Sequence, residues 1–360
     1  MLIKQKFLRN SINKKVILII IILFFIFLII YLSRPFITQY NDPHGQELYK
    51  KELSNELKNK LDNYILNSKI DSVTINDNKQ TLYEYGNVEK STNLALVRKS
   101  IISLLYGIAI EKKLIDINKT LKELNIDESK YKLTETEKSA TIKDLLMARS
   151  GVYLESGVES EGMKNRRPKR EEYIPGEYYY YNNWDFNVLG YIFEQETNLT
   201  IGIALNNWIG KKIGFQDFNE NHIIYSKESA SDYPTWRIYM SNRDLAKIGS
   251  LLLNEGEWNN KSIINQGWLN ESTDNYSKTP YDNIEYGYLW WINKERNFFY
   301  GVGSAGQFLI VDKNNNLTFS IRKDSGVSIL GMLKYRYFDN EVTNKEAFRF
   351  YDLFVENYKK

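Results

Sequence analysis

Between Leu94 and Leu114 the chain reads LALVRKSIISLLYGIAIEKKL, an apolar, helix-competent stretch with two adjacent cations, Arg98 and Lys99, near its start. A helix this apolar is made for burial, and burying an ammonium without a partner is costly. Lys99 is therefore either a surface residue on the first turn or a group held inside for chemistry. The surrounding sequence favours the second option, and the rest of the chain is organised around it.

At 360 residues, 42% of them hydrophobic, the chain can bury a full core as one large domain or two coupled ones. It has no cysteine, which excludes disulfides, thiol nucleophiles and cysteine-ligated zinc. With only His44 and His222 present, a histidine triad or multi-histidine metal site is not expected, and neither is any metal or cofactor. Acid–base work falls to Lys, Tyr, Asp or Glu.

Lys4, Lys6, Arg9, Lys14 and Lys15 precede an unbroken apolar run from Val16 to Leu32, near the minimum length for a membrane span. A cleaved signal peptide is the alternative, but SRPFITQY after the run offers no small-x-small cleavage site. The expectation is a cytoplasmic basic segment over 1–15, an uncleaved transmembrane anchor over 16–32, a stalk over 33–55 and an extracytoplasmic domain over 56–360. Six of the 48 basic residues and no acid precede residue 35, so the remainder carries 42 basic against 45 acidic residues. That balance gives no footprint for nucleic acid.

Leu53, Leu57, Leu61 and Tyr64 recur at helical spacing and predict a helix over 46–67. Val73 and Ile75, the turn Asn76-Asp77-Asn78, and Leu82 to Tyr85 predict a β-hairpin. The middle is mostly helical, with capping boxes at Thr141/Asp144 and Ser241/Asp244. Past Tyr286 the chain turns β-like through GYLWWI, QFLIV, DKNNN and LTFSIR, and a last helix starts at Thr343 with Glu346 as its box partner. The expected fold is α/β of the α+β type. An antiparallel sheet from about 56–90 and 285–360 is flanked by helices and carries an inserted helical part over about 94–280.

Several stretches, taken in order, resemble the β-lactamase-related serine hydrolases, which include class C β-lactamases, DD-peptidases and related esterases and amide hydrolases. They are VRKS on the Leu94–Leu114 helix, LLMARSGVY, PGEYYYYNNWDFNVLG, IGKKIGFQDF, MSNRDLAKIG, WNNKSIINQGW and YGYLWW. The resemblance covers about residue 60 to the C-terminus and implies a β-lactamase/transpeptidase-like architecture. It assigns Lys99 to the lysine of an S-x-x-K motif, Tyr181 to a proton-shuttling phenol lowered by that lysine, and Asn183 to orienting a substrate amide or the lysine. It also aligns Ser304-Ala305-Gly306 with the K-T-G or H-x-G element, and makes the main-chain N–H groups of Gln307 and residue 96 the oxyanion donors.

The family's serine stands three residues before the lysine, about 300° around and ~4.5 Å along the helix, so the two share a face. Here that position is Leu96. Losing such a serine costs on the order of 10⁶ in kcat, roughly 8 kcal/mol. Ser100 lies about 40° from Leu96 in projection but diverges by about 100° from Lys99, while Ser91 and Ser103 have no lysine three residues on. The resulting expectation is a membrane-anchored, catalytically impaired homologue that keeps a pocket for a small-molecule or peptide ligand at the cell envelope. The alternatives are a working hydrolase of amides, esters or cell-wall peptides using another nucleophile such as Ser100, and a structural envelope protein.

Overall fold

A computed structural model describes residues 2–78, 80–227, 229–274 and 276–358, with residues 2–15 by their backbone alone. The side chains of the N-terminal basic flank therefore lie outside the described residues. The longer helices are α1 (Leu2–Ser33), α2 (Asn55–Leu66), α3 (Val97–Glu111), α4 (Asn183–Thr197), α5 (Asn242–Leu253), α6 (Ile329–Phe338) and α7 (Asn344–Tyr358). The chain divides into two compact units, Met1–Thr38 with Ser325–Asn340, and Gln39–Asp324 with Glu341–Lys360. In the first, α1 and α6 pack together, Pro35 bridges Ser328, and the Phe36 N–H donates to the Val327 carbonyl at 2.8 Å.

The second unit is built on a nine-stranded sheet. Its early strands are β1 (Tyr49–Lys50), β2 (Ser72–Asn76) and β3 (Gln80–Tyr85). Two strands fall in the helical middle and join β4 (Thr92–Asn93) in a separate small sheet, β5 (Ile223–Ser226) and β6 (Thr235–Met240), while β7 (Glu257–Trp258) and β8 (Lys261–Ser262) form a hairpin. The late strands are β9 (Ser277–Lys278), β10 (Ile284–Tyr286), β11 (Trp291–Asn293), β12 (Phe298–Gly303), β13 (Gln307–Asp312) and β14 (Leu317–Arg322). The large sheet runs β1-β3-β2-β14-β13-β12-β11-β10-β9. Strands from both ends of the domain meet, as expected, where β14 pairs antiparallel with β2, setting Phe319 opposite Ile75 and Ile321 opposite Val73.

The period-two alternation of QFLIVD explains how the sheet is covered on both faces. Phe308 and Ile310 join Leu57, Leu61 and Phe350 under α2 and α7, whereas Leu309 and Val311 join the cluster that holds Val97 and Ile101 of α3 and Leu245 and Ile248 of α5. Each such side chain contributes about 1.5–3 kcal/mol. Helix α5 comes so close to β14 that a Cβ on Gly249 would stand 2.0 Å from Thr318 Oγ1, so the two pack only because that residue is glycine.

Three element boundaries differ from the sequence reading. The helix expected over 46–67 starts at Asn55 behind the Ser54 cap, because Tyr49 and Lys50 pair with Gln80 and Thr81 of β3 instead. The helix expected from Leu94 starts at Val97, because residues 94–96 form a turn with Ala95 at φ +48°. In GYLWWI only Trp291 onward is strand, since Leu289 takes φ +66° in a buried bend. The Thr141/Asp144 box is complete, but at Ser241 only the serine half forms, because Asp244 accepts instead from the Gln216 and Asp217 N–H groups at 2.7 and 2.8 Å.

Candidate active site

The turn before α3 is held from both sides. The Leu94 N–H donates to the Ile238 carbonyl at 2.8 Å, and Asn93 Oδ1 accepts from the Ala95 N–H at 2.9 Å. Below it Arg322, buried at the end of β14, donates to the carbonyls of Met240, Thr92 and Asn93, to the Thr92 hydroxyl and to Gln307 Oε1. This fork joins the large sheet to the small one at the point where α3 begins, and so fixes where Leu96 and Lys99 stand.

Lys99 is buried to 1% exposure in the first turn of α3. Its Nζ donates to Asn183 Oδ1 at 3.1 Å and lies over the rings of Tyr181 and Phe186, 3.9 and 3.8 Å from their centroids. Burial, and then the adjacent Arg98 charge, push the amine well below its ordinary value against the opposing pull of Asp185. Arg98 points elsewhere, to Asn187 at 3.1 Å and the face of Trp236. Asn183 opens α4 and is fixed by its own amide, which donates to the carbonyls of Gly157 at 3.3 Å and Val158 at 2.7 Å.

Tyr181 comes to Lys99 with its ring face rather than its hydroxyl, wedged against Phe186, Tyr286 and Trp291. Its phenol is raised by burial, only partly countered by Arg98, instead of lowered by the lysine as the sequence reading anticipated. The physical reason is that burial dominates the phenol and also pushes the Lys99 amine toward its neutral form, leaving little positive charge beside the ring to stabilise a phenolate.

Leu96 is half-buried and lines a cleft of about 1060 Å³ with Tyr179, Tyr181, Tyr281 and Trp291, whereas Lys99 is not among the lining residues. Among the described residues no serine hydroxyl is hydrogen-bonded to Lys99. Ser100 donates to the Leu289 carbonyl at 2.8 Å and packs on Gly301, and Ser91 reaches the Asp217 carbonyl.

The strand that borders Leu96 is β12, through Gly303. A Cβ there would lie 2.7 Å from both the Leu96 nitrogen and the Leu94 oxygen. Ser304, Ala305 and Gly306 form the connection into β13, with Ala305 and Gly306 at φ +69° and +89°. Gln307 is laddered to Gly303 and Arg322 on either side, and its side chain donates to the Lys323 carbonyl at 2.6 Å. Among the described residues, neither the Leu96 nor the Ser304 main-chain N–H makes a hydrogen bond. The glycines of GVGSAGQ do mark a close backbone approach, but the one to position 96 falls at Gly303 rather than at the aligned Ser304-Ala305-Gly306.

Behind the cluster, Ser150 donates to Asp185 Oδ1 at 2.6 Å, and burial above all pushes that carboxyl up to about 8. A folded-state value raised above the unfolded one stabilises the fold fully below about pH 4, and that contribution is lost as pH rises through about 8. The unfolding temperature of the unmodified protein relative to Asp185→Asn is therefore expected to fall between pH 5 and pH 8. A difference that stays constant over that range would contradict a neutral Asp185.

A family model described as Beta-lactamase matches residues 75–325. No curated protein matches the chain. Among solved structures, a protein assigned as a 6-aminohexanoate-dimer hydrolase from Bacillus anthracis is 19% identical over 90% of both chains, with a TM-score of 0.64. A family VIII carboxylesterase is 12% identical over 86% of this chain and 99% of its own, with a TM-score of 0.61. A penicillin binding protein from Bacillus halodurans is 13% identical over 77% and 98%, with a TM-score of 0.56. At these identities the likeness is one of fold.

Proposed function

The chain belongs to the Beta-lactamase family, and from that premise we propose that it is a membrane-anchored, outward-facing homologue that binds a small-molecule or peptide ligand at the cell envelope without turning it over. The observation that carries the reading is the side chain at position 96. Lys99 and Asn183 are joined by a buried hydrogen bond, and the cleft is lined at position 96 by a leucine, with neither member of that pair among its lining residues. With no hydroxyl on Lys99, the acyl-enzyme route loses on the order of 10⁶ in rate, while the cleft with its aromatic walls remains.

The unengaged Leu96 and Ser304 N–H groups would receive a ligand carbonyl or carboxylate where a working relative stabilises an oxyanion. We take Ser304 rather than Gln307 as the second donor, since Ser304 follows Gly303, whose backbone borders position 96. For the anchor, the support is the apolar helix segment Val16–Ser33, none of it buried, behind a basic flank. The basic flank would stay cytoplasmic and the domain outside.

A fluorophosphonate or penicillin probe should leave the unmodified protein unlabelled, while a muropeptide mixture should raise its unfolding temperature in proportion to log concentration. Covalent labelling, at Ser100 or elsewhere, would replace this reading with that of a working hydrolase. The absence of any ligand-induced shift across envelope-derived small molecules and peptides would leave only a structural role.

A further inference from the structure

Within the unit formed by Met1–Thr38 and Ser325–Asn340, the apolar run of α1 is exposed along most of its length, but Leu28 and Leu32, one turn apart, are half-buried. The element packed on α1 is α6. It starts from a tight turn at Gly326, φ +86°, and is capped by the Ser328 hydroxyl, which accepts from the Gly331 N–H at 3.1 Å. The bridge from Pro35 to Ser328 pins its first residue to the chain just past the apolar run.

The sequence of α6 is ILGMLKYRYF, and no residue of it is buried. Leu330, Leu333 and Tyr337 recur at i, i+3 and i+7 and so form one stripe, and they are 44%, 41% and 70% exposed. Met332 and Phe338 add to the exposed apolar surface, and the helix's charges, Lys334 and Arg336, are both cationic. A surface this apolar is out of place in water. Helix α6 packs on α1, and the half-buried Leu28 and Leu32 of α1 lie within the hydrocarbon if α1 crosses a bilayer, which brings the exposed side chains of α6 to the level of the membrane.

We propose that α6 is a second membrane contact, an interfacial helix whose stripe of Leu330, Leu333 and Tyr337 enters the bilayer beside the outer end of α1. The inference rests on the anchor reading above and adds to it a surface that no transmembrane helix alone requires. Aromatic residues at the level of the headgroups, Tyr335, Tyr337 and Phe338, and cations that meet anionic phospholipid suit that position. The consequence is a domain tethered at two points of its chain, at residue 38 and again through the 325–340 excursion.

The absence of native cysteine makes the test direct. Full-length Ile22→Cys, Leu333→Cys and Tyr337→Cys variants, each labelled with an environment-sensitive fluorophore, are reconstituted into vesicles of phosphatidylcholine and phosphatidylglycerol. Quenching by nitroxide-bearing lipid and by aqueous iodide is then compared. The expected result is several-fold stronger quenching by lipid than by iodide at all three positions. Lipid quenching at 22 with iodide quenching at 333 and 337 would overturn the role of α6 while leaving the anchor intact. Iodide quenching at 22 would remove the anchor reading, and this inference with it. Shielding of 333 from both quenchers, together with disulfide dimers through Leu333→Cys, would show a second copy on that face and equally overturn the proposal.

Discussion

Leu96→Ser is expected to convert a protein that a fluorophosphonate probe leaves untouched into one that it labels covalently, with the label on residue 96. The expectation rests on what surrounds that position rather than on the substitution alone. Lys99 already lies buried one turn on, its amine held by Asn183 and depressed by burial, so that it is available as a base without an added partner. Among the described residues, the Leu96 and Ser304 N–H groups make no hydrogen bond that would compete with a developing oxyanion. Leu96 is only half-buried, so its removal should cost less than about 1.5 kcal/mol, and the new hydroxyl gains the Lys99 amine as a neighbour.

Adding Lys99→Met to the Leu96→Ser variant should abolish the labelling. The rate in Leu96→Ser should fall as pH drops through the depressed value of the amine, since only the neutral form accepts the serine proton. A folded Leu96→Ser protein that stays unlabelled at every pH would show that the site has decayed beyond one side chain. The approach of Tyr181 to Lys99 by its ring face is the feature that would then need explaining.

The order of the main elements was legible because it depends on periodicity. The hairpin at 72–85, the strands after 297 and the closing helix all alternate or repeat clearly enough to read. The meeting of Lys99 with Asn183 was also legible, through the resemblance, although the residues are 84 apart. What escaped depends on contacts between distant segments. Nothing local marks Ala95 for a left-handed turn, and β5 and β6 were submerged among helical neighbours. The 325–340 excursion carries no break in composition that separates it from the domain around it. Gly303 is set by the backbone it touches rather than by its neighbours in sequence, which is why the strand element was aligned to the turn beyond it.

Arg322 is the least legible of these residues and the one whose loss should cost most. In sequence it is a cation at the end of an apolar strand, an ordinary place for a solvated charge. In the fold it is 2% exposed and reaches five acceptors across β4, β6 and β13. Arg322→Ala would leave those acceptors buried and unpaired, each at about 1–3 kcal/mol before relaxation or water entry. A loss of about 3–5 kcal/mol in denaturant unfolding is expected, a large share of a domain's stability. Arg322→Lys should recover only a minor part, because a single ammonium cannot span the fork. The loss should also reach the site. Thr92 and Asn93 lead directly into the turn that carries Leu96, so Leu96→Ser combined with Arg322→Lys should label more slowly than Leu96→Ser alone under conditions where both are folded. Equal labelling rates would mean that the Asn93 side chain and the Leu94–Ile238 hydrogen bond hold that turn without help from β14.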